Sequence, residues 1–211
     1  IDDAVGDLLQ LLKGLNIDEN TMVVFTSDNG PSIESYIVGE PIVPTFFKSF
    51  GPFDGIKRDL WEGGLRMPSI ARWPNHIPAG NVVETPSIFY DWMPTFTNMA
   101  GLPAPAVSDG VSLLPSLLKK GKQLESQIYV EYFESGTTPE FEDFAIDHRG
   151  RRRNQMQMVR LGDFVGVRYD IKSQNNNFEI YDVLKDPQQT KNLAGTSTMI
   201  SLQQKMKDKA L

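Results

Sequence analysis

The sequence predicts an α/β fold followed by a small α+β subdomain, and two observations carry this prediction. In the first part of the chain, helical and strand patterns alternate, which is typical of an α/β layer. Later in the chain, four short strand patterns follow one another before a closing helical pattern, which indicates an antiparallel sheet with a helix. We therefore predict two domains, 1–122 and 123–211.

The α/β part begins with apolar residues at helical spacing, which predict a helix at about 2–13 that ends near Gly14. The apolar run Met22–Phe25 predicts a buried strand at 21–26, and a long segment rich in glycine and proline then reaches Pro68. A loop of this length inside a compact domain is usually functional or mobile. Beyond it the patterns predict a strand at 69–73, a helix at 91–100 and a connector at 102–122.

The second part is predicted to be a small sheet with one helix. Leu161-Gly162-Asp163-Phe164 is a natural hairpin turn between two apolar runs. The predicted elements are strands at 128–133, 157–161, 164–169 and 178–183, and a closing helix at 198–211.

The composition is that of an ordinary globular protein, with 40% hydrophobic and 23% charged residues among 211. A net charge of −6 argues against a general nucleic-acid binder, and no apolar run is long enough to span a bilayer. The absence of cysteine excludes disulfides and thiol catalysis. Because the sequence opens inside a helical pattern without methionine, we expect it to be a fragment or a processed product.

Ser27-Asp28-Asn29-Gly30 follows the apolar strand directly. Oxygen-bearing side chains at the end of such a strand lie where open α/β sheets bind ligands. Asp28 and Asn29 offer the hard oxygen donors that suit calcium or magnesium. The alternative interpretation is a tight turn, which the dipeptide Asn29-Gly30 often forms.

Further motifs follow Ser27–Gly30 in a characteristic order. With the opening residues Ile1–Gly6, they resemble the C-terminal portion of formylglycine-dependent sulfatases of the arylsulfatase type, in the alkaline-phosphatase-like superfamily. The resemblance covers essentially the whole chain and implies a partial α/β/α sheet. The motifs are Gly55–Pro68 (GIKRDLWEGGLRMP), Asp91–Phe96 with Ala100–Pro103 and Asp109-Gly110, and Phe178–Val183 with Asp186-Pro187 and Asn192–Ala194.

The resemblance implies a role for three residues of this chain. Asp28 and Asn29 would bind Ca²⁺ or Mg²⁺, and Lys57 would be the catalytic lysine that contacts the sulfate group. A positioned ammonium and a divalent cation both stabilise the charge that grows on oxygen as an S–O bond breaks. The alternative for Lys57 is an exposed loop lysine, and the spacing of Trp61–Gly64 after it favours the sulfate ligand.

Other parts of the family's site are absent from these 211 residues. Its formylglycine nucleophile arises within Cys/Ser-x-Pro-x-Arg, a motif that does not occur here. We expect the nucleophile and the remaining metal ligands upstream, so the isolated chain is predicted to be inactive. The family implies a sulfated small molecule or glycan as substrate and a periplasmic or secreted location.

A basic run, Asp147-His148-Arg149-Gly150-Arg151-Arg152-Arg153, lies between two predicted strands. It predicts a loop that collects anions at the rim of the site, with His148 and Arg149 as substrate-binding residues. The alternatives are a solvated basic face or a nucleic-acid contact, and the acidic net charge disfavours the latter.

Two other functions stay open at the level of sequence. One is a phosphoryl or phosphonate hydrolase of the same superfamily, and the other is a noncatalytic glycan-binding relative. Residues upstream of Ile1 would distinguish them. Because the strand segment Met22–Phe25 is apolar on both faces, it suits the middle of a parallel sheet. We therefore expect the isolated chain to expose strand edges and to self-associate.

Overall fold

A computed structural model describes residues 1–33 and 42–210. None of the helices in this described part is long and apolar enough to cross a membrane. The helices and strands are, in chain order, α1 (Asp2–Gly14), β1 (Val23–Thr26), α2 (Glu62–Leu65), β2 (Ser69–Arg72), α3 (Trp92–Met99), α4 (Leu114–Leu118), β3 (Ile128–Thr137), β4 (Arg152–Leu161), β5 (Phe164–Arg168), β6 (Glu179–Asp182) and α5 (Ile200–Lys209).

The chain forms two compact units that are each built from two stretches of sequence. The first unit contains Ile1–Thr26 and Pro68–Gln127, and the second contains Ser27–Met67 and Ile128–Leu211. The predicted domains, 1–122 and 123–211, are single stretches and stay a prediction. The described residues of the long segment between β1 and β2 thus belong with the C-terminal strands.

In the first unit, β1 and β2 form a two-stranded antiparallel sheet in which Phe25 lies opposite Ile70. The sequence predicted the middle of a parallel sheet for β1, and within this chain the strand pairs antiparallel with β2 instead. Phe25 is 41% exposed and Ile70 is 62% exposed. The sheet therefore presents an apolar cross-strand pair to solvent.

The predicted connector at 102–122 is tied to the start of α3 by the buried carboxylate of Asp91. That carboxylate accepts hydrogen bonds from the backbone N–H of Ile88 and of Val111, both at 2.9 Å. It also accepts one from Oγ of Ser126 at 2.7 Å. The connector contains α4, a helix that the sequence did not predict, because its five residues are too few for a periodic pattern.

The second unit contains a four-stranded antiparallel sheet in the order β3-β4-β5-β6. The predicted hairpin is confirmed, since Leu161 pairs with Phe164 across the turn. Met206 of α5 is fully buried against Val159, Phe178 and Ile180. The predicted antiparallel sheet with a C-terminal helix is thereby confirmed, and β3 and β4 are longer than predicted.

Candidate functional site

The segment that follows β1 forms a turn and also displays oxygen donors. Oγ of Ser27 donates to the carbonyl of Asn29 at 2.9 Å, and Nδ2 of Asn29 donates to the carbonyl of Gly30 at 2.8 Å. The side chain of Asp28 is exposed and that of Asn29 is half-buried. The two interpretations of this segment, a tight turn and a ligand site, are therefore compatible.

Glycines bring this segment into backbone contact with the short helix α2, which precedes β2. The N–H of Gly30 donates to the carbonyl of Gly64 at 2.9 Å. A Cβ on Gly30 would lie only 1.9 Å from the carbonyl oxygen of Gly63. The N–H of Gly63 in turn donates to the carbonyl of Asp54 at 2.8 Å. Side chains are excluded here, so the two backbones touch directly.

Lys57 lies beside the same segment. Its backbone N–H donates to the carbonyl of Pro31 at 2.8 Å, and its side chain is half-buried. Lys57 is also a central residue of a tight turn, closed by a 2.8 Å bond from the N–H of Asp59 to the carbonyl of Ile56. These bonds place Lys57, Asp28 and Asn29 on neighbouring loops of the second unit.

The turn around Lys57 is anchored by Asp59, which is 1% exposed. One carboxylate oxygen of Asp59 accepts the N–H of Ile56 at 3.1 Å. The other oxygen accepts one hydrogen bond from Oγ1 of Thr138 at 2.7 Å and another from Nε of Arg153 at 2.9 Å. Asp59 is not among the site residues predicted from the sequence. The sequence does hold a signal for it, because an acidic residue stands directly before two large apolar residues, Leu60 and Trp61. The structure buries both of them, at 2% and 0% exposed.

The next residues of the loop are held by side chains from the C-terminal part of the second unit. The phenol oxygen of Tyr169 accepts the N–H of Leu60 at 2.7 Å, and Oε1 of Gln189 accepts the N–H of Glu62 at 2.9 Å. Burial, together with the nearby Asp59 carboxylate, raises the pKa of Tyr169 well above its usual range. The phenol therefore stays neutral at ordinary pH and keeps its bond with the N–H of Leu60.

His148 lies in the interior, although the sequence predicted it at the rim of the site. Its ring is 1% exposed and stacks on Trp61 with 3.9 Å between ring centroids. Nδ1 donates to a carboxylate oxygen of Asp54 at 2.7 Å, and the same oxygen accepts the N–H of Ala145 at 2.7 Å. This arrangement holds the loop around residue 145 in place. Contact between His148 and a substrate stays a prediction.

Arg149 is half-buried and binds its own loop. Nε donates to the carbonyl of Phe144 at 2.8 Å, and Nη2 donates to the carbonyl of Glu142 at 2.6 Å. Its role in substrate binding stays a prediction. The other arginines of the basic run pair with carboxylates: Arg151 with Glu179, Arg152 with Asp170 and Arg153 with Asp59. The run is therefore neutralised largely within the chain.

Within residues 1–33 and 42–210, no group of three or more His, Cys, Asp or Glu side chains is arranged to hold a metal ion. The oxygen donors of Asp28 and Asn29 fit calcium or magnesium in kind. Nδ2 of Asn29 is engaged by the carbonyl of Gly30, which leaves Oδ1 as the atom for a cation. Two such residues make up part of a coordination shell.

Comparisons with known proteins identify relatives of this chain. Residues 49–211 match the family described as N-sulphoglucosamine sulphohydrolase, C-terminal. The N-acetylgalactosamine-6-sulfatase of Mus musculus is 42% identical over 139 residues, which is 65% of this chain and 25% of that protein. The steryl-sulfatase of Homo sapiens is 35% identical over 134 residues, which is 63% of this chain and 22% of that protein.

Solved structures give the same relationship. The structure of BT4656 in complex with its substrate D-glucosamine-2-N,6-O-disulfate aligns with a TM-score of 0.66 and 26% identity, covering 98% of this chain and 36% of that one. The phosphonate monoester hydrolase of Agrobacterium radiobacter shares the fold. It aligns with a TM-score of 0.62 and 21% identity, covering 99% of this chain and 38% of that one. The predicted alkaline-phosphatase-like fold is thereby confirmed.

The chain spans about a quarter of the length of the curated relatives it matches. Within that span, the family match runs from residue 49 to residue 211, which is well over half of the chain. The predicted resemblance is confirmed, and the chain belongs to the sulfatase family described as N-sulphoglucosamine sulphohydrolase, C-terminal.

Proposed function

We propose that this chain is the C-terminal part of a sulfatase that hydrolyses the sulfate ester of a sulfated sugar. The observation that carries the proposal is the backbone contact between two loops. The bonds from Gly30 to Gly64 and from Lys57 to Pro31 hold the oxygen donors of Asp28 and Asn29 beside a lysine. Hard oxygen donors suit a divalent cation, and such a cation next to a cationic side chain suits a bound oxyanion such as sulfate.

Asp28 and Asn29 would hold a calcium or magnesium ion. They supply two of the roughly six to eight oxygen ligands that calcium takes, and the family places the others upstream with the formylglycine nucleophile. When bound, a divalent ion held by Asp28 and Asn29 would supply positive charge to the sulfate oxygens and would orient the sulfate group. The hydrogen bond from Nδ2 of Asn29 to the carbonyl of Gly30 restrains the side-chain amide. Oδ1 would therefore face the cation without a rotation of the amide group.

Lys57 would contact the sulfate group. Charge on the ester oxygen rises as the S–O bond breaks, and an ammonium held nearby stabilises that charge more in the transition state than in the ground state. A compact ammonium suits this task as a point charge, and the bond from the backbone N–H of Lys57 to Pro31 fixes where the lysine begins.

Two relatives favour a carbohydrate sulfate over an aryl sulfate. One is named an N-acetylgalactosamine-6-sulfatase, and the other was crystallised with D-glucosamine-2-N,6-O-disulfate. The runner-up is phosphonate monoester hydrolysis, which one structural neighbour performs according to its name. A noncatalytic glycan-binding relative would keep the loops and lack the upstream nucleophile. As in the family, we expect a periplasmic or secreted protein.

The test is to assay the full-length gene product against three esters: a 6-O-sulfated amino sugar, an aryl sulfate and a phosphonate monoester. We expect the highest kcat/KM for the sulfated sugar, and we expect EDTA to abolish turnover until calcium or magnesium is restored. A preference for the phosphonate monoester would contradict the proposed substrate class. Binding of the sulfated sugar without turnover would identify the noncatalytic relative.

The isolated 211-residue chain should self-associate. The exposed pair Phe25 and Ile70 lies on one face of a two-stranded sheet, and Leu8 and Leu11 of α1 are 60% and 56% exposed. Burial of such apolar area in a second copy is favourable, at about 25 cal/mol for each Å². Sedimentation velocity should show dimers or larger species that Ile70→Lys reduces. The exposed substitution Lys185→Ser, at a side chain 86% exposed, is the control. A strictly monomeric chain would contradict the expectation.

A further inference from the structure

We infer that Asp59 is a positioning residue that holds Lys57 in place for sulfate binding. This inference rests on the proposed role of Lys57. It concerns a residue that binds no substrate itself and acts through the turn on which the lysine stands.

The turn from Ile56 to Asp59 is closed by two hydrogen bonds between its first and last residues. The N–H of Asp59 donates to the carbonyl of Ile56 at 2.8 Å, and the N–H of Ile56 donates to the carboxylate of Asp59 at 3.1 Å. Lys57 and Arg58 are its two central residues. The direction in which Lys57 leaves the backbone is therefore set by this pair of bonds.

The turn contains a strained residue immediately after the lysine. Arg58 has a φ of +79°, in the left-handed region that glycine usually occupies. A side chain at such a position persists only where the surroundings hold the backbone. The carboxylate of Asp59 supplies that restraint directly, because it binds the first residue of the same turn.

The carboxylate of Asp59 is itself fixed from outside the turn. Oγ1 of Thr138 and Nε of Arg153 donate to its second oxygen at 2.7 and 2.9 Å. Asp59 is 1% exposed, Thr138 is 0% exposed and Arg153 is 7% exposed, so water does not compete for these bonds. Arg153 of β4 and Thr138, the residue after β3, thus hold the lysine's turn through one buried carboxylate.

Every partner of this carboxylate is a donor, and that makes asparagine an informative replacement. Whichever way the introduced amide turned, its NH₂ group would face the N–H of Ile56 or Nε of Arg153, and neither donor can reverse. Asp59→Asn therefore keeps the volume and breaks one side of the restraint. Lys57 would then lose its fixed direction, while its bond to Pro31 remains.

A double-mutant cycle in the full-length protein separates positioning from general destabilisation. The cycle uses Lys57→Met, Asp59→Asn and the double variant. We expect Asp59→Asn alone to lower kcat/KM for the sulfated sugar by about 10- to 100-fold, the scale of a misplacement near 1 Å. On the Lys57→Met background, it should lower kcat/KM by less than about 2-fold, because the lysine it positions is gone.

Asp91→Asn is the matched control. Asp91 is 0% exposed and its carboxylate also accepts three donors, but in the first unit. It should lower the unfolding temperature with kcat/KM unchanged. If Asp59→Asn does not fold, Thr138→Val removes one of the same bonds, and we expect a loss of a few-fold that again disappears with Lys57→Met.

Equal fold-losses from Asp59→Asn on both backgrounds would overturn the inference and assign the residue a merely structural role. An unchanged kcat/KM in Asp59→Asn, with a large loss in Lys57→Met, would overturn the inference and leave the proposed function standing. An unchanged kcat/KM in Lys57→Met would overturn the role of the lysine and, with it, that of Asp59.

Discussion

Lys57→Met in the full-length protein should lower kcat/KM for a sulfate ester by about 10²- to 10³-fold, with little change in the unfolding temperature. Methionine keeps the length of the stem and removes the ammonium. Loss of one preorganised charge at a developing oxyanion costs on this order in the transition state. The backbone bond from Lys57 to Pro31 is kept, so the loop should not move.

Lys57→Arg should recover only part of this activity, because a planar guanidinium cannot take the place of a compact ammonium. The matched control is Lys48→Met on the same loop segment. The Lys48 side chain is 68% exposed and pairs with Asp143 at 2.7 Å. A surface pair of this kind contributes at most about 1 kcal/mol. Equal kinetics for Lys57→Met and the wild-type protein would refute the sulfate contact.

Local pattern was enough to predict most of the regular structure. The helical spacing at the start of the chain became α1, and the four apolar runs after residue 127 became β3 to β6. The turn at Gly162-Asp163 joined the strands on either side of it, as such sequences do when both flanks are apolar. In each case the residues that decide the structure lie within a few positions of one another.

Contacts between distant residues could not be predicted in this way. The carboxylate of Asp54 meets the ring of His148 across 94 positions, and Leu60 meets Tyr169 across 109. From local sequence alone, the basic run around His148 indicates an exposed loop, either one that collects anions or a solvated basic face. The structure buries the ring because a carboxylate and the indole of Trp61 come from another segment to enclose it.

The candidate catalytic lysine was predicted from the family motif, because local sequence pattern does not identify it. The residues directly beside Lys57 do not distinguish it from any other loop lysine. Its spacing from Glu62-Gly63-Gly64 in the family motif is what identified it as the candidate sulfate ligand. The structure adds the physical reason for the glycines of this motif. They permit the backbone contact that places the lysine's loop beside the oxygen donors of Asp28 and Asn29.

Gly30→Ala should therefore destabilise the second unit by about 3 kcal/mol or more. The added Cβ would lie 1.9 Å from the carbonyl oxygen of Gly63 and 3.0 Å from Cα of Gly64. Both neighbours are backbone atoms and cannot rotate away as a side chain could. The carbonyl of Gly63 is held further, because the N–H of Gly64, in the same peptide unit, donates to the carbonyl of Trp61 at 2.9 Å. Overpacking against fixed atoms is costly for this reason.

Gly6→Ala is the control that isolates the steric contact. Gly6 lies inside α1, and a Cβ there would meet nothing within 4 Å. Alanine in a helix is favoured over glycine by about 0.5–1 kcal/mol, so this variant should be slightly more stable. Urea denaturation of both variants in dilute solution measures the difference. Because both changes add the same methyl group, a Gly30→Ala variant within about 0.5 kcal/mol of the wild-type chain would mean that the loops do not touch in solution.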